Sequence, residues 1–143
     1  MPAGISHPGV GYATFAAIKF AGYAAAAHFL SMRYNREDLS AWKVGGARTL
    51  IGMSAGAVYF GLWFAYEYAA HPDMFRDYPY LYLAGLLPFR IAEWWFLIWL
   101  FYDRKLREPA KGWRMVGLGT VWSYILDAPA IAGLVATAGI WIC

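Results

Sequence analysis

Lys19, Glu67, Arg90, Glu93 and Asp127 are the residues of this chain on which chemistry can be built, because each interrupts a long apolar run. Placing Arg, Lys or Asp at the middle of a bilayer costs about 2.5 to 3.5 kcal/mol each, so such groups pair with one another and mark functional positions. Arg90 and Glu93 stand three residues apart, which puts both on one face of a helix. Thr120, Ser123 and Asp127 share a face on the same reasoning, as do Thr49, Gly52, Gly56, Trp63 and Glu67.

Two chemistries follow from that set. In a carrier- or channel-type protein or subunit, Asp127 and Glu93 bind protons or a small solute, Arg90 and Lys19 tune them, and Glu67, Ser123, Tyr124 and Trp94 complete the ligand contacts. In a cofactor-free membrane enzyme, Glu93 beside Arg90 is the base and Asp127 in an apolar setting is the acid, for an isomerase-like reaction on a lipid-soluble substrate. The bland alternative is an accessory assembly subunit, whose buried ion pairs only fix register and partner choice.

Two prolines fall beside these charges. Pro88 lies two residues before Arg90 and Pro129 two after Asp127. Each removes a backbone hydrogen bond and frees a carbonyl one turn earlier, near Ala84 and Ile125. Within a membrane such a break is tolerated where protein or trapped water re-satisfies it.

The elements that must position these groups are four apolar stretches, 10–32, 49–70, 80–102 and 116–142. Each is near the roughly 20 residues that cross a bilayer, and segments crossing as single apolar stretches are helices. The expected fold is all-α: an integral membrane four-helix bundle forming a single domain over residues 1–143. The composition agrees, since 61% of the chain is hydrophobic and only 15% charged, against about a quarter charged in soluble domains. Such apolar runs leave no basic face for nucleic acid, so the partner is the lipid bilayer, with an apolar or protonatable small ligand.

Arg33, Arg36, Lys43 and Arg48 lie between the first two stretches, and Arg104, Lys105, Arg107, Lys111 and Arg114 between the last two. Arg76 alone lies in the middle connection, and the N-terminal tail has no basic residue. Cytoplasmic loops retain Lys and Arg, so both basic loops are expected in the cytoplasm and both termini on the outer side, as in a bacterial-type inner or plasma membrane. That direction places Arg90, Glu93 and Asp127 near mid-depth, Lys19 slightly outside it and Glu67 close to the outer surface. The first stretch reads as a retained helix, because no Lys or Arg precedes it and Lys19 interrupts its core.

Other chemistries find no support in the pattern. Cys143 is the single cysteine, which excludes an internal disulfide and a cysteine zinc site. His7, His28 and His71 do not supply axial ligands at matching depth for a haem, and neither a metal nor a cofactor motif occurs. Ala13, Ala17, Ala21 and Ala25 form a small-residue stripe, and Gly52 and Gly56 a GxxxG pair. Either face suits packing within the bundle or between copies in a homo-oligomer. Tyr66, Tyr68, Tyr78, Tyr80 and Tyr82 at one end, and Trp42 and Trp113 at the other, read as interfacial anchors.

Overall fold

The computed structural model describes residues 8–70 and 79–137, and the side chains of 13–70 and 80–128. Among the described residues the fold consists of four helices: α1 (Pro8–Tyr34), α2 (Ala41–Ala70), α3 (Pro79–Phe101) and α4 (Pro109–Thr137). His7, His71, Arg76, Tyr78, Cys143 and the end of the fourth apolar stretch lie outside the described residues.

The helices coincide with the apolar stretches but start where the caps are. α2 starts at Ala41 instead of 49, behind Ser40, whose carbonyl accepts the Val44 N–H at 3.1 Å. Serine is a favoured residue at that boundary. α4 starts at Pro109 instead of 116, because a proline in the first turn gives up an N–H that has no partner there anyway. Hydropathy marks where a helix enters hydrocarbon, whereas capping marks where it begins, and the turns between the two carry basic residues. α1 closes on Asn35, a non-glycine residue at φ 50°. There the Arg36 N–H reaches back to the Ser31 carbonyl at 2.9 Å and the Asn35 N–H to Met32 at 3.5 Å. This left-handed cap satisfies two end carbonyls and turns the chain sharply.

The helices form a ring, α1 against α2, α2 against α3, α3 against α4 and α4 against α1. The α1/α2 seam is the tightest: a Cβ added at Gly45 would come within 2.7 Å of the Ala24 backbone. The α1/α4 seam is the loosest. Gly52 and Gly56 are buried inside the bundle, so the GxxxG pair is used within the chain. Ala13, Ala17, Ala21 and Ala25 are all exposed, and Ala24 and Ala27 make the α1 packing face instead.

Large apolar side chains face outward, and charged groups are buried among the apolar residues of the interior. Leu50, Val58, Leu62, Phe64, Leu118, Val121 and Ile125 are exposed, while Lys19, Arg48, Arg90, Glu93, Ser123 and Asp127 are buried. A water-soluble protein does the reverse and rarely exposes large apolar patches. Three segments, Ala13–Tyr34, Ala41–Ala70 and Tyr80–Phe101, are long and apolar enough to cross a membrane. Trp42 and Trp113 are exposed toward one end of the bundle, and Tyr66, Tyr68 and Tyr80 toward the other. Tyr82 departs from that belt: it is buried against Tyr59 and Trp63, with ring centroids 5.0 and 5.6 Å away.

Candidate functional site

The buried charges form one chain of alternating sign that passes through all four helices. Arg48 on α2 reaches Glu93 on α3, Nη2 to Oε2 at 2.6 Å. The same Glu93 oxygen meets Arg90 Nη1 at 3.2 Å. Arg90 Nη2 lies 2.9 Å from Asp127 Oδ2 on α4. Asp127 Oδ1 lies 2.7 Å from the Lys19 ammonium on α1. None of the five side chains is more than 6% exposed, so each charge depends on its neighbours in the chain instead of on water.

Lys19, Arg90, Glu93 and Asp127 thus come together from three helices, and a fifth member joins them that hydropathy had assigned to a loop. Arg48 precedes the second apolar stretch, yet it is 0% exposed and lies at the centre of the bundle. The signal for it was its spacing: Arg48, Gly52 and Gly56 repeat every four residues, so a helix extended back to the Ser40 cap carries Arg48 onto the inward stripe. Glu67 continues that stripe but stands about 28 Å further along α2, half-buried and outside the chain. Asp127 sits between two cations, not in an apolar setting.

Aromatic and small residues hold the chain in place. The Arg48 guanidinium lies over the rings of Tyr23 and Trp94, 4.7 and 4.9 Å from their centroids, a contact strengthened where water is excluded. Ser123 ties this group together: its hydroxyl oxygen accepts the Trp94 indole N–H at 2.9 Å, Arg48 Nη2 at 3.3 Å and the Tyr23 hydroxyl at 3.4 Å. Gly52 makes the room, because a Cβ there would come within 2.8 Å of Arg48 Nη1 and 3.6 Å of Arg90 Nη1. Tyr124 donates its hydroxyl to the Leu83 carbonyl at 2.9 Å, and Tyr59 donates to that of Tyr82 at 2.9 Å. These two carbonyls lie in the turn before Ala84, the position whose carbonyl Pro88 frees within α3. The ring of Pro129 lies outside the described side chains.

Among the described residues three cations face two carboxylates, which leaves a surplus positive charge in the buried chain. Among the same residues Arg48 Nε and Nη1 and Arg90 Nε are buried without a hydrogen-bond partner, as is Thr120 Oγ1 on the same α4 face as Asp127. A buried, unpaired N–H on a cation is costly, and an anion or a polar solute would relieve that cost. Among the described residues no group of His, Cys, Asp and Glu is arranged to hold a metal, and His28 is exposed on α1.

A cavity of about 310 Å³ opens in the α1/α4 seam, lined almost entirely by carbon. Trp94 belongs to both regions: one part of its ring lines this cavity while its indole N–H and face serve Ser123 and Arg48. Neither Glu93 nor Asp127 lines it. No family description, curated protein or solved structure matches this chain.

Proposed function

We propose that this is a multi-pass membrane protein of carrier or channel type, acting alone or as a subunit, with α4 completing four spans and the charge chain as its solute site. The solute that suits the site is a small anion. The observation that carries this reading is the surplus cation together with the unpartnered N–H groups of Arg48 and Arg90. An anion arriving between those guanidiniums competes with Glu93 for both of them, since one Glu93 oxygen holds the two. Exchange of partners loosens α2 from α3, which is the kind of motion a gated site requires. The basic connections support an orientation with those loops in the cytoplasm and both termini outside, in an inner or plasma membrane. The exposed alanine stripe of α1 suits contact between copies.

The assembly reading has its own support, because the ion pairs join α2 to α3, α3 to α4 and α4 to α1. The isomerase-like reading draws none from the cavity, whose wall contains neither carboxyl group.

The test is flux in vesicles containing the purified full chain, with chloride, nitrate and acetate as trial anions and a pH gradient for protons. Wild-type protein passes at least one anion, and Arg48→Gln reduces that flux while retaining helix content and monodispersity in detergent. Passage of protons alone moves the site to Glu93 and Asp127. Vesicles tight to all of these ions, with Arg48→Gln failing to fold, favour the assembly reading.

A further inference from the structure

The geometry points to a lipid site, separate from the charge chain: we propose that the α1/α4 seam binds one anionic phospholipid, with an acyl chain in the cavity and its phosphate at Arg33 and Arg114. This proposal does not rest on the transport reading.

The cavity is a slot between two antiparallel helices, walled by Ala25 and Phe29 on α1 and by Leu118 and Trp122 on α4, with Trp94 as its floor. Its volume, about 310 Å³, lies at the lower end of small-ligand sites. At one end the seam is pinned shut, where the Trp122 indole N–H donates to the Gly22 carbonyl at 3.0 Å. Beside it Gly22 is packed so closely that an added Cβ would lie 2.5 Å from Leu126. The occupant therefore runs from Trp122 toward the opposite end, where the connections are basic.

Register places the charges at that end. Arg33 follows Phe29 by four residues on α1, and its guanidinium lies over the Phe29 ring, 5.4 Å from the centroid. Arg114 precedes Leu118 by four residues on α4. Both arginines are exposed at the end of the cavity lining, Arg33 three residues past Leu30 and Arg114 next to Met115. An apolar slot that ends in two cations from facing helices matches a molecule with a hydrocarbon chain and an anionic head, and the membrane itself supplies that molecule. Arg guanidinium suits phosphate by its fork of donors. A zwitterionic lipid would fill the slot but bring an ammonium to the arginines.

The experiment is native mass spectrometry of the full chain released from micelles holding equal amounts of phosphatidylglycerol and phosphatidylcholine. Wild-type protein retains phosphatidylglycerol in preference to phosphatidylcholine. The pair Arg33→Gln, Arg114→Gln lowers that preference about thirtyfold, as two surface cations each worth a few-fold to tenfold would imply. Ala25→Phe, which fills the slot from an exposed position, lowers retention of both lipids, whereas Val58→Phe, exposed on α2 away from the cavity, leaves retention unchanged. Leu118→Trp fills the slot from the other wall and replaces Ala25→Phe if that variant does not fold. Equal retention of the two lipids by wild-type protein, or retention untouched by both filling variants, means ordinary surrounding lipid only and overturns the proposal.

Discussion

Two regions bind α2 to α3, and they do so by opposite means. Toward the basic connections, Arg48, Glu93 and Arg90 meet as ions, and the chain continues through Asp127 to Lys19. Toward the other end, Tyr59, Trp63, Tyr82 and Phe89 meet as rings, Tyr59 lying 5.0 Å from both Tyr82 and Phe89 and Trp63 standing edge-on to Tyr82. In hydrocarbon a ring gains little by leaving lipid, so the aromatic cluster holds through shape, dispersion and bonds such as that of the Tyr59 hydroxyl. A charge has no comparable alternative in lipid, so the ionic region holds because every other arrangement of its members is worse. The aromatic region should therefore weaken by degrees, and the ionic one should lose much of its stability at once when a carboxylate is removed and a cation is left buried alone.

The largest test of that contrast is Glu93→Ala. It leaves Arg48 buried without a carboxylate and Arg90 with Asp127 alone, and removes the ion pair that joins α2 to α3. Breaking a buried pair from one side costs about 3 to 5 kcal/mol, read as a lowered midpoint of thermal unfolding in detergent. Combining Arg90→Gln with Glu93→Gln should cost less than the two single losses added together, because their charges are coupled; strict additivity would deny that they are.

A matched pair of glycine changes sharpens the comparison further. Gly52→Ala pushes a methyl against Arg48 Nη1 and toward Arg90 Nη1, and the guanidiniums cannot yield without leaving Glu93. About 1 to 3 kcal/mol is expected. Gly85→Ala places its methyl on the Tyr59 hydroxyl, which moves aside by giving up its bond to the Tyr82 carbonyl. It should cost about 1 kcal/mol, much the same as Tyr59→Phe, since both lose the hydroxyl bond to the Tyr82 carbonyl. Adding Tyr59→Phe to Gly85→Ala should then change stability little. If Gly85→Ala proved the costlier of the two glycine changes, the contrast between the regions would be wrong.

The smallest effect belongs to a charge pair outside the bundle. Arg36 and Asp38 form two hydrogen bonds in the exposed α1 to α2 connection, at 2.9 and 3.0 Å. The bond from Arg36 holds the Asp38 carboxyl below its ordinary value of 3.8. Its contribution is therefore complete above that value and is lost as pH falls through the lower folded one. Solvent screens the pair, so Asp38→Asn should leave the unfolding midpoint at neutral pH almost unchanged. Chemical-shift titration of Asp38 checks the direction.

Much of the interior was legible from residue types alone. Lys19, Arg90, Glu93 and Asp127 announced themselves because charges inside apolar runs are expensive, and the polar faces of α2 and α4 followed from helical spacing. Arg48 stayed hidden because a charge next to an apolar run looks like part of a loop until the Ser40 cap is taken as the helix start. The alanine stripe was ambiguous for a related reason. α1 has small residues on more than one face, and only the meeting of Ala24 with Gly45 decides which is covered.

The sequence by itself determined that this chain makes long apolar helices with charges inside them, since hydropathy, caps and helical period are properties of neighbouring residues. Tertiary structure decided the order of the charges, Arg48 to Glu93 to Arg90 to Asp127 to Lys19. It also decided that Glu67 stands apart and that Trp94 joins an apolar cavity to an ionic core. The physical reason is that each charged side chain faces several acceptable partners at similar depth. Which pair forms depends on how closely the helices approach at their glycines, and that is settled only when all four are packed.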